Sequence, residues 1–237
     1  MLASGSNPRH DDYRLFAPVK LPRITGLKLE VLPHASNTRG GLARGESGKF
    51  ILTDIKVQVR RRGSSQIRDI TVSGAVADAS AEQKGACDYG DIKGVLDDDP
   101  RNGWTTKGLD PKKPYSAVFE FEEPLVLDAD EELVFEMRQR STSGDANIGC
   151  FRVSVTDQAG EAVRSVEVAP LERLANAKLS DLSQLDAKLR AKLFEQFLAD
   201  HEPYQIERSS WDRATRQLNE VKKSAGALNV MVLAGRK

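Results

Sequence analysis

Cysteine is scarce: the 237-residue chain holds two, Cys87 and Cys150. No Cys-x-x-Cys or Cys-x-x-Cys-His stands in the sequence, so there is no covalent haem site and no thiolate pair that opens a zinc site. Three histidines, His10, His34 and His201, lie far apart and do not build a His/Cys centre. Both cysteines fall in loop-like sequence, which leaves a Cys87–Cys150 disulfide and two free thiols as open alternatives. An excess of charge of either sign is also missing, since 35 basic and 35 acidic side chains give a formal net charge of zero. A chain that coats nucleic acid or an anionic membrane needs a basic surplus, so neither partner is expected. No apolar run reaches the ~18 to 20 residues that cross a bilayer. The N-terminus lacks a basic stretch followed by an apolar one, so it does not read as a signal peptide. Gly-x-Ser-x-Gly and Gly-Lys-Ser/Thr phosphate-loop patterns are absent, and no Ser, His and Asp set carries a supporting local signature.

What is present, up to about residue 157, is strand sequence. Tyr13–Phe16, Ile24–Leu32, Phe50–Val59, Ile67–Ala77, Tyr115–Phe121, Leu133–Met137 and Phe151–Val155 are rich in β-branched and aromatic residues. They alternate with period two between Gly, Pro, Asn and Asp punctuation. Ile55, Val57 and Val59 share one face, as do Leu27, Leu29 and Val31 after a slip at Gly26. Short strands with no helical period between them predict an antiparallel sandwich. The joining segments Pro33–Lys49 and Asp78–Lys113 are long, and long loops at one end of a sandwich are where such folds bind ligands. After Asp157 the period changes. Leu185, Leu189, Leu193 and Phe197 recur every four residues, and Trp211, Ala214, Leu218 and Val221 are spaced 3, 4 and 3. These are two amphipathic helices joined through Asp200–Pro203, a hairpin whose stripes need a partner surface. The expected organisation is a sandwich over 1–157, a linker over 158–180 and a helical hairpin connector over 181–225. Residues 226–237 read as the start of a truncated following segment.

The chemistry-bearing residues sit in the two long loops. Gly94-Val-Leu-Asp-Asp-Asp-Pro-Arg-Asn-Gly-Trp104 is a tight acidic turn. Asp97 and Asp99 with loop carbonyls offer an oxygen cage for Ca²⁺; alternatively they bind the loop's own N–H groups, as Asp does in turns. Trp104 is either a stacking platform for a sugar or a core anchor under the loop. Arg39 and Arg44, with Lys49, lie in a Gly-rich loop, where basic side chains bind sulfate, carboxylate or phosphate or remain solvated. Asn102 adds an amide to the same end. Glu122-Glu123 and Asp128–Glu132 flank turns rather than a cleft, so the acid/base pair of a glycosidase is not formed and the chain reads as non-catalytic.

Four strings in order carry a resemblance: Ile24-Thr-Gly-Leu-Lys-Leu-Glu-Val-Leu-Pro33, Gly48-Lys-Phe-Ile-Leu-Thr-Asp54, Asp97 to Trp104, and Ile148-Gly-Cys-Phe-Arg-Val-Ser-Val-Thr156. Together they resemble the middle region of large secreted planctomycete-type proteins that carry a c-type cytochrome domain and flanking domains of unknown function. That region looks like a discoidin-like, galactose-binding-like jelly-roll sandwich. Two departures stand out. The family's loop reads Asp-Gly where this chain has Asp97-Asp98, and Gly supplies positive φ at little cost. Its Arg before Phe151 is Cys150 here.

The resemblance implies a mainly β, antiparallel discoidin-like sandwich followed by a helical hairpin. It implies a carbohydrate-binding-like module of an extracytoplasmic protein, with a polysaccharide as ligand at Arg39, Arg44, Asn102 and Trp104, and Ca²⁺ at Asp97 and Asp99. Neighbouring domains of the parent protein would dock through the hairpin. An interdomain scaffold without a ligand is the alternative. The haem motif of the parent proteins is not in this chain.

Overall fold

A computed structural model describes residues 1–79, 81, 87–177 and 185–224. Contacts divide the chain into two compact units, Met1–Gln196 and Phe197–Lys237. The described residues of the first unit hold ten strands: β1 Asp11–Ala17, β2 Ile24–Val31, β3 Ile51–Leu52, β4 Asp54–Arg61, β5 Ile67–Ile70, β6 Val72–Ala77, β7 Trp104–Thr105, β8 Tyr115–Leu125, β9 Glu131–Gln139 and β10 Phe151–Thr156. They form two four-stranded sheets, ordered β1-β9-β4-β5 and β10-β2-β8-β6, and a two-stranded sheet β3-β7. The ladders between these strands are antiparallel. The chain is thus mainly β, in a sandwich-like arrangement.

Period two decides which faces meet. Leu27, Leu29 and Val31 of β2, Ala117 and Phe119 of β8, Ile55, Val57 and Val59 of β4, and Leu133, Phe135 and Met137 of β9 belong to one buried cluster drawn from both sheets. Each buried large aliphatic or aromatic side chain contributes roughly 1.5–3 kcal/mol of transfer free energy. The slip at Gly26 is a register shift in the β2–β8 ladder. A side chain there would lie 2.4 Å from the Phe119 carbonyl oxygen, so only glycine fits. Two runs that read as single strands are each divided. Phe50–Val59 breaks at Thr53 into β3 and β4, and Ile67–Ala77 breaks at Thr71, where the chain passes from one large sheet to the other. Such corners are how a strand changes sheet.

The outward face of the β1-β9-β4 sheet is a lattice of charge. Arg14 opposes Glu136 across β1–β9, while Asp54 opposes Arg138 and Arg60 opposes Glu132 across β4–β9. Arg14 binds Glu136, Arg138 Nε donates to Glu136 Oε1 at 2.6 Å, and Arg60 Nε donates to Glu132 Oε1 at 3.0 Å. Arg60 also lies 4.1 Å over the Phe16 ring. Opposite charges placed directly across strands stabilise the ladder, and the long arginines shield Glu132 and Glu136 from water.

The expected linker contains two short helices, α1 Glu161–Arg164 and α2 Pro170–Asn176. Val163 of α1 is buried, and Arg164 Nη2 pairs with Glu120 Oε1 of β8 at 2.7 Å. Two longer helices follow, α3 Ala187–Asp200 and α4 Glu202–Ser224. Leu189 of α3 is buried, and Lys192 reaches Glu161 Oε1 at 2.6 Å. In the second unit Ile206, Trp211, Leu218 and Val221 of α4 are exposed. Positions 178–184 and 225–237, which take in the end of the expected linker, parts of the expected connector and the expected following segment, lie outside the described residues. No helix among the described residues is long and apolar enough to cross a membrane.

Candidate functional site at the loop end of the sandwich

The ladders place the long loops together. β2 ends at Val31 opposite the starts of β8 and β10, and β9 ends at Gln139 opposite the start of β1. Loops 32–50, 87–103, 106–114 and 140–150 therefore emerge at one end, with residues 1–10 across them. Backbone bonds join them: Arg44 N–H to Asn147 O, Gly149 N–H to Leu42 O and Ile51 N–H to Ala146 O, each 2.9 Å. Side chains complete the lacing. Asn147 Nδ2 donates to Pro8 O at 2.8 Å, Tyr13 OH to Ile148 O at 2.8 Å and Tyr89 OH to Pro100 O at 3.0 Å.

Trp104 is a core anchor and not a stacking platform. It is 0 % exposed, its Nε1–H donates to Ala79 O at 2.8 Å, and Phe50 meets it edge-on at 5.0 Å. Its indole already has both an apolar bed and a hydrogen-bond acceptor, so no face is left for a sugar. Arg44 is likewise withdrawn from any ligand. Its side chain is 9 % exposed, and Nη2 donates to the carbonyls of Ser4, Gly5 and Ser6 at 3.3, 2.9 and 2.5 Å. Nη1 lies 3.3 Å from Asp11 Oδ2. Arg44 is an internal cation that folds the N-terminal segment over the loops.

The acidic loop uses its carboxylates on itself. Asp97 Oδ1 accepts from the Asp99 N–H at 3.0 Å, and its Oδ2 accepts from Asn102 Nδ2 at 2.7 Å. Asp99 Oδ1 accepts from the Arg101 N–H at 3.0 Å, and Oδ2 from Arg101 Nη2 at 2.7 Å. The Arg101 side chain, helped by its N–H, holds the Asp99 carboxyl down at about 2. Asn102 is a strut of this turn. Among the described residues no group of three or more His, Cys, Asp or Glu is placed to hold a metal. Asp98, standing where the resembling family has Gly, adopts φ +58°, a conformation that Asp tolerates better than most residues. Its Oδ1 accepts from Arg138 Nη1 at 2.9 Å. Cys87 and Cys150 are unpaired thiols.

Arg39, in the expected ligand set, forms no ion pair with another described residue. It sits at φ +55° in a tight turn, Thr38–Gly40, and is exposed. The 110–113 turn packs against it: Lys112 Nζ donates to the Arg39 carbonyl, and Pro111 borders Gly41. Gly48, which precedes exposed Lys49, borders Thr38 O at 3.7 Å, counted from the Cβ a side chain would add. Arg39, Lys49 and Lys112 thus come from touching segments, all exposed. None forms an ion pair with another described residue, in contrast to Arg14, Arg60 and Arg138. Lys112 had no signal in the sequence, since only the packing of its turn on Arg39 brings it here.

A cleft of about 570 Å³ at this end is bordered by Leu2, Ser4, Asp11, Tyr13, Arg44 and Phe151. Tyr13 and Phe151 stack there at 5.7 Å. Asp11 and Arg44 are bound to each other, and Tyr13 to Ile148, so the cleft presents few free polar groups. Comparison of the chain with family models, with curated proteins and with solved structures finds no match.

Proposed function

We propose that this chain is a non-catalytic, carbohydrate-binding-like module with a discoidin-like jelly roll, part of an extracytoplasmic protein. Its ligand is an anionic polysaccharide taken at the loop end. The observation that carries the reading is the group of exposed cations Arg39, Lys49 and Lys112 on touching loops, none in an ion pair with another described residue. Sulfate and carboxylate groups are the natural counterions of such a cluster. Two four-stranded antiparallel sheets with long loops at one end support the jelly-roll assignment. Placement outside the cytoplasm rests on the resemblance of the four sequence strings.

A screen of neutral, uronate and sulfated polysaccharides tests the reading, with Ca²⁺ and with chelator. Binding is expected for the anionic polymers. It should weaken steeply between 50 and 300 mM salt, roughly as screened charges require, and disappear in the Arg39→Ala, Lys112→Ala double variant. Loss of binding with chelator, reproduced by Asp97→Ala with Asp99→Ala, would bring Ca²⁺ into the site. No binding by folded protein overturns the module and favours the second reading, an interdomain scaffold. That reading has its own support in the exposed Trp211, Leu218 and Val221 of α4, spaced as one face of a helix.

A further inference from the structure

The charge lattice of the outward face ends, towards the loops, in a group that the polysaccharide reading does not use. Asp54 opens β4 and is 5 % exposed. Its Oδ2 lies 3.2 Å from Arg138 Nη1, yet accepts no hydrogen bond from any described residue. The same Nη1 donates to Asp98 Oδ1 at 2.9 Å, and Lys56 Nζ donates to Asp98 Oδ2 at 3.3 Å. Arg138 Nε is occupied by Glu136, which Arg14 also holds. One guanidinium therefore faces three carboxylates, two of them on a single nitrogen. The other charges nearby are accounted for: Asp12 pairs with Arg140 in the adjoining row. Asp69, across a cleft of about 250 Å³ bordered by Asp54, Lys56 and Leu96, accepts from Gln58.

Asp98 is what ties the turn of the acidic loop to this sheet. Asp97 and Asp99 spend their oxygens inside the loop, whereas Asp98 holds a left-handed backbone and reaches out to β4 and β9. We infer that Asp54 is a proton-controlled latch for the acidic loop. With a proton on Asp54, Arg138 Nη1 belongs to Asp98 and the loop stays seated; without it, two carboxylates compete for that nitrogen and the loop lifts.

The electrostatics agree with the geometry. Burial pushes the Asp54 carboxyl up to about 7, Asp98 adds to the rise, and Lys56 and Arg138 oppose it. Asp98 is itself held low, chiefly by Lys56. When the loop lifts, water reaches Asp54 and its carboxyl returns towards the ordinary range near 4. The seated state therefore binds the proton more tightly. Seating is tightest near pH 4, and lifting becomes up to ~10-fold easier per pH unit between about 4 and 7, then levels off.

Amide hydrogen exchange of the segment 97–103, corrected for intrinsic rates from pH 4.5 to 8.5, reads the latch directly. Protection in the intact protein should fall with pH up to about 7 and level off, while Asp54→Asn, which carries no titrating proton, should give a flat profile. The same fall in both proteins overturns the latch. The carboxyl carbon shift of Asp54 in the unmodified protein is an independent check that needs no variant. A midpoint near 7 supports the latch, and one below 5 overturns it. Neither readout involves a polysaccharide, so the latch and the binding site stand or fall separately.

Discussion

The two tryptophans mark two different kinds of surface. Trp104 is 0 % exposed beneath laced loops, with its N–H on a carbonyl and a phenyl edge against its face. Trp211, on α4, is 63 % exposed, with the Arg208 guanidinium 6.0 Å from its ring centroid. Both stand in sequence that looks suited to recognition, one in a polar loop and one on an amphipathic stripe. What separates them is long-range structure. The acidic loop folds back so that β7 pairs with β3, Leu52 opposite Trp104, and that ladder places the indole in the core. On α4, Trp211 and Leu218 stay exposed. An aromatic residue in a loop is thus no guide to a binding surface until the loop's own pairing is known.

Substitution can break this contrast. Trp104→Ala should cost about 3–5 kcal/mol in urea unfolding followed by near-ultraviolet circular dichroism, because it leaves a cavity in a close-packed core. Trp211→Ala should stay within ~0.5 kcal/mol, as surface changes do. Equal losses would show that α4 is covered as tightly as the sandwich core. The two arginines of the Gly-rich loop sharpen the same point on a smaller scale. Arg44→Ala strands Asp11 and three carbonyls, and should cost roughly 1–3 kcal/mol. Arg39→Ala removes only a solvated charge and should leave the melting temperature unchanged while weakening polysaccharide binding. A stable Arg44→Ala protein would mean that the N-terminal segment is seated by its backbone bonds alone.

The legible part of the fold was the part written in alternation. Ile55, Val57 and Val59 are spaced by two, and a strand of any register about that axis must put them on one side; the same holds for Leu27, Leu29 and Val31 beyond the Gly26 bulge. The corners at Thr53 and Thr71 were hidden because alternation continues through them while the partner sheet changes. Helix α1, at four residues, is shorter than a helical period can reveal. The lattice of Arg14, Glu136, Arg138 and Asp54 joins strands that are far apart in sequence, so its existence depends on ladder register. The site residues failed for a related reason. Arg44 and Arg39 look alike in a Gly-rich loop, and only the three carbonyls of Ser4–Ser6 distinguish them. Asp97 and Asp99 read equally well in sequence as a Ca²⁺ cage or as a self-bonded turn, because only the folded loop shows which donors face them; in the structure their oxygens bond within the turn.

Asp98 offers the finest test, because backbone and side chain contribute separately there. At φ +58° an alanine carries a steric cost of roughly 1–2 kcal/mol that glycine escapes. Both substitutions remove the pairs to Lys56 and Arg138, and for a half-exposed carboxylate such pairs are worth at most ~1 kcal/mol. Asp98→Ala should therefore destabilise more than Asp98→Gly by about 1 kcal/mol, read as a difference in urea midpoint at constant slope. Asp98→Gly should lie within ~1 kcal/mol of the unmodified protein. If the two variants prove equal, the loop has relaxed out of the left-handed conformation once its side chain lets go. The ion pairs to β4 and β9 would then be what hold the backbone there. If Asp98→Gly is the more stable even than the unmodified chain, the aspartate is kept at this turn for its charge, at a cost in stability that glycine would remove.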